Sequence, residues 1–236
     1  MQLFYSPDIN SDSKQYAFSK EESKHIAKVL RKKEGDILSI TNGKGYLFIV
    51  EIIIADIKKC IVKINTIEQH KGHDYKLHIA IAPTKMNDRM EWFLEKATEI
   101  GIDEITPIFC DNSERKIIKK DRFEKIIQSA MKQSLQMQLP KLNDAINFKQ
   151  FINQEFTGET YIAHCEEQEK KQLLSLISPN QNYTILIGPE GDFSVKEIEL
   201  ALHNNFKPVA LGNTRLRTET AGIAACHTIA LSNIIV

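Results

Sequence analysis

Hydrophobic and polar positions divide the chain into two regions with different patterns. Residues 1 to about 68 are rich in β-branched residues, and period-two alternation there is typical of strands. The predicted strands are Ile37–Thr41, Tyr46–Ile54 and Ile61–Ile67. Asn42-Gly43-Lys44-Gly45 predicts the turn between the first two strands, and apolar spacings of three and four predict one helix over Glu21–Lys33. This region is expected to form a small β-barrel with one helix.

From Tyr75 onward, predicted strands alternate with predicted helices. The strands are Leu77–Ala82, Ile105–Phe109, Tyr161–His164, Tyr183–Ile187 and Pro208–Leu211. Helices are expected over Asn87–Ile100, over Asp121–Leu139 and after each of the last three strands, the final one over 219–235. Repeated β–α alternation predicts a parallel sheet with helices on both faces. The polar segment His70–Asp74 is the expected linker, which gives domains over residues 1–70 and 75–236.

Charge is balanced overall but uneven along the chain. The 236 residues include 31 Lys and Arg and 31 Asp and Glu, so a general electrostatic attraction to nucleic acid is excluded. Lys24–Lys33 holds five basic residues and no acid, and Arg115–Lys125 holds six basic residues against two acids. Each run alone fits a solvated helix face. Two such runs in different predicted domains favour a nucleic-acid surface, because phosphate contacts need clustered Lys and Arg.

Several classes of protein are disfavoured by the sequence. The most apolar stretch, Ala221–Val236, has 16 residues against ~20 for a membrane span, so it predicts a buried helix and no membrane partner. No secretory signal is visible, and the four cysteines form no C-x-x-C pair, which predicts a reduced, cytoplasmic protein. His70, His73 and His78 do not have the spacing of metal ligands, so no metal site is expected.

One loop stands out in the C-terminal third. Gly188-Pro189-Glu190-Gly191 directly follows the strand that ends at Ile187, and Ser194-Val-Lys-Glu197 after it predicts a capping box. Loops at the carboxyl edge of parallel sheets bind ligands, although an ordinary tight turn fits the same residues. Glu190 would compete with an anionic ligand for the amides of a helix N-terminus. Since phosphate-binding fingerprints are also absent, a ligand without phosphate is expected.

A second polar loop follows the next strand. It runs from Leu211 to Thr220 and contains Arg215 and Arg217. Thr218 is the predicted N-cap of the last helix, with Glu219 in its first turn. Arginines just before a buried helix need partners or a cleft, so a site is favoured over a pair of surface arginines. His164-Cys165 ends a neighbouring strand and is expected either to line the same cleft or to contain a satisfied buried histidine.

Together, Gly188-Pro-Glu-Gly191, Leu211-Gly212 and Leu216-Arg-Thr-Glu-Thr-Ala221 resemble the bacterial 16S ribosomal RNA uridine-N3 methyltransferases of the SPOUT superfamily. His25-Ile-Ala-Lys-Val-Leu-Arg31 with Gly35-Asp36 resembles that family's PUA-like RNA-binding barrel. Lys85, Asp88–Glu91 and Lys96–Glu99 resemble its first catalytic-domain helix. The chain departs from the family at Asp192, where a glycine is usual, and at Asn213-Thr214, where Pro-Arg is usual.

The resemblance implies an α/β fold in which a trefoil-knotted parallel sheet, with helices on both faces, follows the PUA-like barrel. It further implies a homodimer, formed through the knot and the C-terminal helix, that methylates ring nitrogen 3 of a uridine in small-subunit (16S) ribosomal RNA from S-adenosylmethionine. The implied donor-binding residues are His164, Ile187, Gly188, Glu190, Gly191, Leu211, Gly212, Leu216 and Thr218. The implied RNA-binding residues are His25, Lys28, Arg31, Lys32, Lys85 and Arg89.

Uridine nitrogen 3 must lose its proton before it accepts a methyl group, which calls for a base or a cation that stabilises the uracil anion. Arg217 is the candidate for that cation or for holding RNA phosphate, and Glu219 is one candidate base. The sequence leaves open which nucleotide is modified and whether free RNA or the assembled subunit is the substrate. The alternatives are a non-catalytic RNA-binding protein of the same fold and an α/β enzyme that uses another nucleotide.

Overall fold

The computed structural model describes residues 2–234. Met1, Ile235 and Val236, which the predicted domains include, lie outside the described residues, as does the end of the helix predicted over 219–235. The chain forms two units. The first comprises the residues up to Gly72 together with Met131–Leu139, and the second comprises His73–Ala130 and the chain from Pro140 onward.

The first unit contains a five-stranded sheet. Its strands are β1 (Leu3–Tyr5), β2 (Gln15–Ala17), β3 (Ile37–Thr41), β4 (Tyr46–Ile54) and β5 (Ile61–Gln69). Their order is β1-β3-β4-β5-β2; β1 pairs with β3 in parallel and the other pairs are antiparallel. The three predicted strands are confirmed, the third with two additional residues. Gly43 (φ 70°) and Gly45 (φ 89°) form the predicted turn with left-handed backbone.

One face of this sheet forms the core of the first unit. Side chains alternate along the strands, so every second residue faces inward. The inward residues of β3 to β5 pack with Ile26, which follows the first helix. The core residues are Phe4, Ile9, Phe18, Ile26, Leu38, Ile40, Phe48, Val50, Ile52, Cys60 and Val62.

The helix predicted over Glu21–Lys33 is shorter than expected. Helix α1 (Lys20–Lys24) continues into a π-helical turn over His25–Val29, in which the Leu30 N–H donates to the His25 carbonyl at 2.9 Å. The chain then turns at Arg31, whose φ is 55°. The prediction failed at this end because apolar spacing marks the packed face but not a stop made by a left-handed arginine. The basic run is therefore divided between a helix and a loop.

The second unit is built on a parallel sheet, as predicted. Its strands are β6 (Leu77–Ile81), β7 (Glu104–Phe109), β8 (Lys141–Leu142), β9 (Ile146–Asn147), β10 (Glu159–Ala163), β11 (Lys171–Gln172), β12 (Tyr183–Ile187) and β13 (Lys207–Ala210). The order is β11-β13-β10-β12-β6-β7-β8, with β9 also paired to β7, and every pairing is parallel. The carboxyl ends of β13, β10 and β12 are therefore neighbours.

Helices cover both faces of this sheet, which confirms the predicted layers. They are α2 (Asn87–Ile100), α3 (Lys120–Gln133), α4 (Phe148–Ile152), α5 (Val195–His203) and α6 (Thr218–Ser232). On one face, α4 and α5 pack on β6, β7, β10 and β12. On the other face, α6 crosses α2 so closely that a Cβ added at Gly222 would lie 2.6 Å from Phe93 Cε2 and 3.1 Å from Ile81 Cδ1.

Two predicted helices of this region differ from the structure. Helix α3 ends at Gln133 rather than at Leu139, and Leu135 has a φ of 56°. Residues 131–139 instead belong to the first unit. There the Gly45 N–H donates to the Met137 carbonyl at 2.8 Å, and the Leu139 N–H donates to the Gly43 carbonyl at 2.9 Å. After β10 there is no helix, but a loop, β11 and a 3-10 turn over Leu173–Ser175.

Helix α6 begins one residue earlier than predicted and is buried on one side only. Its N-cap is Arg217 rather than Thr218. Gly222, Cys226 and Ile229 are buried, whereas Thr220, His227 and Leu231 are exposed. The apolar composition therefore overstated the burial of this helix. Within residues 2–234 no helix combines the length and apolarity needed to cross a membrane.

Candidate active site

Three neighbouring loops of the second unit enclose a cavity of about 490 Å³ at the carboxyl edge of the sheet. They follow β10, β12 and β13, the three strands whose ends lie side by side. Open α/β sheets bind their ligands at such an edge, and the volume is within the ~300–1,000 Å³ typical of small-molecule sites. The three loops that the sequence singled out as candidates for ligand binding therefore line one cavity.

The cavity contains nearly all of the residues predicted for donor binding. Those that line it are His164, Ile187, Gly188, Glu190, Leu211, Gly212, Leu216 and Thr218, together with Arg217. Gly191 does not line it. The Gly191 carbonyl instead faces the opposite side of its loop and accepts a hydrogen bond from Asn112 Nδ2 at 3.2 Å.

Thr218 connects two walls of the cavity. Its buried hydroxyl donates to the Gly188 carbonyl at 3.0 Å. As the first residue of α6, it therefore joins the start of that helix to the loop after β12. The sequence predicted an N-cap at this position, but no side chain caps the N-terminus of α6.

Glu190 does not bind the amides at the helix N-terminus, as the sequence predicted, but a backbone amide of another loop. Its Oε1 accepts the backbone N–H of Lys85 at 2.9 Å, in the loop after β6. The N-terminus of α5 is satisfied by its own capping box, in which the Ser194 hydroxyl accepts the Glu197 N–H and Glu197 accepts the Ser194 N–H. The capping box, rather than Glu190, therefore occupies two of the amides at this helix start.

Asp192 joins the loops after β12 and β10. Its Oδ2 accepts the Cys165 N–H at 2.7 Å, and its Oδ1 accepts the Phe193 N–H at 2.8 Å. Its φ is 64°, a conformation that glycine adopts freely and Asp better than most residues. The departure from the family glycine is thus accommodated by the backbone and adds a contact between two cavity walls.

His164 is a buried, neutral residue of the cavity wall. Burial, followed by the nearby Lys170 ammonium, lowers the pKa of its imidazole. Its Nε2 lies 2.6 Å from Gln168 Nε2, so the neutral ring accepts a hydrogen bond there. Its Nδ1 is buried and has no hydrogen-bond partner among the described residues.

Arg215 and Arg217 are exposed at the rim of the cavity. Neither side chain makes a hydrogen bond or an ion pair within residues 2–234. The structure therefore shows two free guanidinium groups that face a cleft, which is the arrangement the sequence favoured.

Glu219 and Arg89 pair with each other away from the cavity. Glu219 is 6% exposed, and its Oε1 lies 3.8 Å from Arg89 Nε of α2. Its Oε2 has no hydrogen-bond partner among the described residues. Because Glu219 is not among the residues that line the cavity, its position does not favour the role of base that the sequence left open.

Lys170 and Asp192 also line the cavity but were not predicted as site residues. Cys165, which the sequence placed in the cleft with His164, and Asn213, which lies in the predicted loop after β13, line it as well. Lys170 donates to the His164 carbonyl at 2.9 Å and to the Glu166 carbonyl at 2.6 Å, so it braces the loop after β10. No signal marked Lys170, which lies in an acidic stretch, whereas Asp192 was visible as a departure from the family.

The other predicted RNA-binding residues lie outside the cavity. In the first unit, Lys28 and Arg31 are exposed, Lys32 is half-buried, and His25 Nδ1 lies 3.7 Å from Glu22 Oε2. In the second unit, the exposed Lys85 Nζ pairs with Glu114 at 2.7 Å. No group of three or more His, Cys, Asp or Glu side chains within residues 2–234 could hold a metal ion.

Comparison with known proteins shows the family of the chain. A family model described as an RNA methyltransferase domain matches residues 71–230, and an RNA methyltransferase PUA domain matches residues 18–65. Ribosomal RNA small subunit methyltransferase E of Buchnera aphidicola subsp. Acyrthosiphon pisum is 34% identical over 224 residues, which is 91% of this chain and 87% of that protein.

Two solved structures extend the similarity to the whole fold. An rRNA-methyltransferase described for Porphyromonas gingivalis is 41% identical, with a TM-score of 0.92 over 100% of this chain and 99% of that one. A Legionella pneumophila protein, described as a methyltransferase in complex with the cofactor S-adenosylmethionine, is 28% identical, with a TM-score of 0.87 over 98% and 97% of the two chains. With the domain matches and the curated relative, these similarities show that the chain belongs to the RNA methyltransferase family that includes the ribosomal RNA small subunit methyltransferases E.

Proposed function

We propose that this protein transfers the methyl group of S-adenosylmethionine to ring nitrogen 3 of a uridine in 16S ribosomal RNA. The observation that carries the proposal is the cavity formed by the loops after β10, β12 and β13, with two free arginines at its rim. Membership of the RNA methyltransferase family supports the same reaction class, and a 28% identical relative holds S-adenosylmethionine.

The residues of the cavity fit this donor. S-adenosylmethionine carries a sulfonium and an ammonium group but no phosphate, and two amides at the N-terminus of α5 are already taken by its capping box. Ile187, Leu211 and Leu216 provide an apolar slot for adenine. The buried Nδ1 of His164 lacks a partner and is available for a polar group of a ligand. The remaining walls of the donor site would be formed by Gly188, Glu190, Gly212 and Thr218. Gly191 would act indirectly, through the hydrogen bond that its carbonyl accepts from Asn112.

When bound, S-adenosylmethionine supplies an electrophilic methyl group. The contribution of the chain is to hold the donor in place and to prepare the acceptor. Uridine nitrogen 3 lies on the Watson–Crick edge, so the uridine must be unpaired or flipped out of its helix to enter the site. The Arg217 guanidinium, free at the rim, stabilises the negative charge that develops on the uracil ring as the nitrogen 3 proton passes to solvent water at the open side of the cavity.

The first unit would hold the surrounding RNA. It matches a PUA domain, and Lys28 and Arg31 expose their cationic side chains. Together with His25, Lys32, Lys85 and Arg89, these residues are the proposed RNA contacts outside the cavity. A cytoplasmic location belongs to the same proposal, since small-subunit RNA is the proposed partner.

A homodimer is part of the same proposal. The outer side of α6 exposes Leu231 and His227 beside the half-buried Ile223, which is the kind of apolar face that a second copy would cover. The trefoil knot implied by the SPOUT resemblance belongs to this proposal as well.

The decisive experiment uses small-subunit RNA, both free and assembled, from a strain that lacks the gene. Incubation with the purified protein and S-adenosylmethionine is expected to produce N3-methyluridine at one position, detected by nucleoside mass spectrometry and mapped on the RNA. Donor binding without any methylated nucleoside would contradict the proposal and leave the non-catalytic RNA-binding protein as the better description.

A further inference from the structure

The loop after β7, residues 111–119, is fastened to the outside of the cavity wall. Asn112 Nδ2 donates to the carbonyls of Gly191 at 3.2 Å and of Asp192 at 3.1 Å. The Ser194 hydroxyl donates to Asp111 Oδ2 at 2.8 Å. These bonds join the first residues of the 111–119 loop to the same segment that carries Gly188 and Glu190 on its inner side.

The middle of the loop has a second attachment. The Arg115 guanidinium donates to the Lys85 carbonyl at 2.7 and 3.2 Å, and the N–H of Lys85 donates to Glu190, which lines the cavity. Lys85 Nζ also pairs with Glu114 at 2.7 Å. The backbone of the 111–119 loop is thus held next to the proposed donor site at both points.

The basic residues around this loop fall into two groups. Lys120 pairs with Asp144 at 2.6 Å, and Arg122 pairs with Glu91 at 2.7 Å, so these cations are neutralised on α3. Lys116 and Lys119 are exposed, and within residues 2–234 their side chains make no hydrogen bond or ion pair. Between them, Ile117 is 78% exposed.

We propose that Lys116 and Lys119 bind backbone phosphates of the substrate RNA beside the target uridine, and that Ile117 packs against a ribose or base there. This inference rests on the proposed function, since it names a contact surface for that substrate. Free cations on a backbone that is already fixed bind phosphate with little further loss of conformational entropy. Ile117, 78% exposed between the two lysines, offers an apolar contact for a ribose or a base.

The test compares two double variants of the full-length protein that lose the same charge. Lys116→Gln/Lys119→Gln changes the proposed surface. Lys76→Gln/Lys207→Gln is the control, because these exposed lysines lie at the amino ends of β6 and β13, the opposite edge of the same sheet. Affinity for 16S ribosomal RNA and for small subunits from the deletion strain is measured across a salt series, with S-adenosylmethionine affinity measured by calorimetry.

The surface variant is expected to bind RNA about tenfold more weakly and to lower the salt-dependence slope by ~1.4–1.8, since each of the two lost phosphate contacts removes ~0.7–0.9. The control variant should stay within about twofold of the wild type, and donor affinity should be unchanged in both. If the two variants have the same RNA affinity and the same salt-dependence slope while the wild type binds and methylates RNA, the proposed RNA contact of Lys116 and Lys119 is wrong. The proposed function would then still stand. A wild type that neither binds nor methylates RNA would overturn the proposed function as well.

A photoreactive benzophenone side chain at Ile117 gives an independent readout. Crosslinking to small subunits is expected to yield an adduct that is removed by ribonuclease. An adduct removed only by protease would assign the loop to a ribosomal protein and overturn the RNA surface.

Discussion

Asp192 occupies a backbone conformation that usually belongs to glycine, and its side chain uses that position to join two loops. The carboxylate accepts N–H groups from both Cys165 and Phe193. Charge-assisted hydrogen bonds of this kind are stronger than neutral ones. Asp192 therefore acts as a positioning residue for the proposed donor site.

Replacing Asp192 by glycine is expected to weaken S-adenosylmethionine binding about 5–10-fold, because glycine keeps the backbone but releases the loop after β10. Asp192→Asn retains an acceptor oxygen and should recover most of the affinity. Calorimetry measures both. Asn205→Gly is the matched control, since Asn205 also has a positive φ, 65°, but does not line the cavity. Wild-type affinity in Asp192→Gly would contradict the positioning role.

The exposed position of Arg217 allows its catalytic role to be tested separately from the stability of the fold. Since its side chain is exposed and unpaired within residues 2–234, Arg217→Ala should leave the melting temperature nearly unchanged. Loss of the cation should lower kcat by ~10²–10³, the range seen when one group that stabilises a developing anion is removed. A large fall in melting temperature would show a structural role, and an unchanged kcat would exclude Arg217 from the reaction.

At the scale of elements, the two sides of α6 have different roles. One side meets α2 at Gly222, where the absence of a Cβ allows the close approach to Phe93. The other side exposes Leu231 and leaves Ile223 half-buried. The apolar sequence of this helix is explained by an internal contact on one side and, in the proposed homodimer, by a second copy on the other.

Leu231→Glu tests that interpretation. Leu231 is 36% exposed on α6, and a carboxylate there would be buried without a partner if a second copy covers it. The variant is expected to be monomeric in light scattering at concentrations where the wild type is dimeric. Leu202→Glu is the control, because Leu202 is similarly exposed, 38%, but lies on α5. Dimerisation of both variants to the same extent would exclude the α6 face.

Element boundaries show what pattern alone can and cannot predict. The bounds of β3, β4, β12 and α2 match those predicted, because alternation and spacing continue up to a strong turn or stop such as Gly101, whose φ is 106°. Two helical segments end early instead: the π-helical turn that continues α1 stops before Arg31, and α3 stops before Leu135, both of which have positive φ. Such residues adopt the left-handed conformation only when the surrounding structure compensates, so their sequence gives no warning.

At the scale of the whole molecule, one segment belongs to a unit that its sequence position does not suggest. Met137 follows α3 but packs with Leu3 and Leu47 of the first unit. Its carbonyl accepts the Gly45 N–H. Residues 131–139 therefore contribute to the stability of the first unit.

Met137→Ala should accordingly destabilise the first unit selectively. A cavity left by a buried methionine costs roughly 2–5 kcal/mol, and Met137 is 7% exposed. Hydrogen exchange is expected to accelerate in β3 and β4, whereas Met90→Ala, a buried methionine of α2, should accelerate exchange in α2 and in α6, against which α2 packs. The same exchange pattern in both variants would contradict this assignment.

The pH dependence of global stability has an identifiable contributor in His78. Burial is the main cause that lowers the pKa of this imidazole from 6.5 to about 4, while its Nε2 lies 2.7 Å from Thr106 Oγ1. Because the unfolded chain binds a proton first, this contribution is complete above pH ~6.5 and is lost as the pH falls toward 4.

Urea unfolding at several pH values measures the effect. The wild type should lose stability between pH 7 and pH 4.5, and His78→Gln, although less stable at pH 7, should lose less over the same range. Parallel pH profiles for the two proteins would exclude His78 as the source.

The sequence by itself determined the helix and sheet layers of the second unit and the family resemblance. It also identified the glycine-flanked loop after β12 and the arginine-containing loop after β13 as candidate binding loops. These depend on periodicity and on residues that act through their own backbone or chemistry, which are local properties. Only the tertiary structure decided that Glu190 accepts a hydrogen bond from the Lys85 N–H, that Glu219 pairs with Arg89, and that residues 131–139 join the first unit. Each of these is a contact between segments distant in the chain, and such contacts follow from strand order and packing rather than from local pattern.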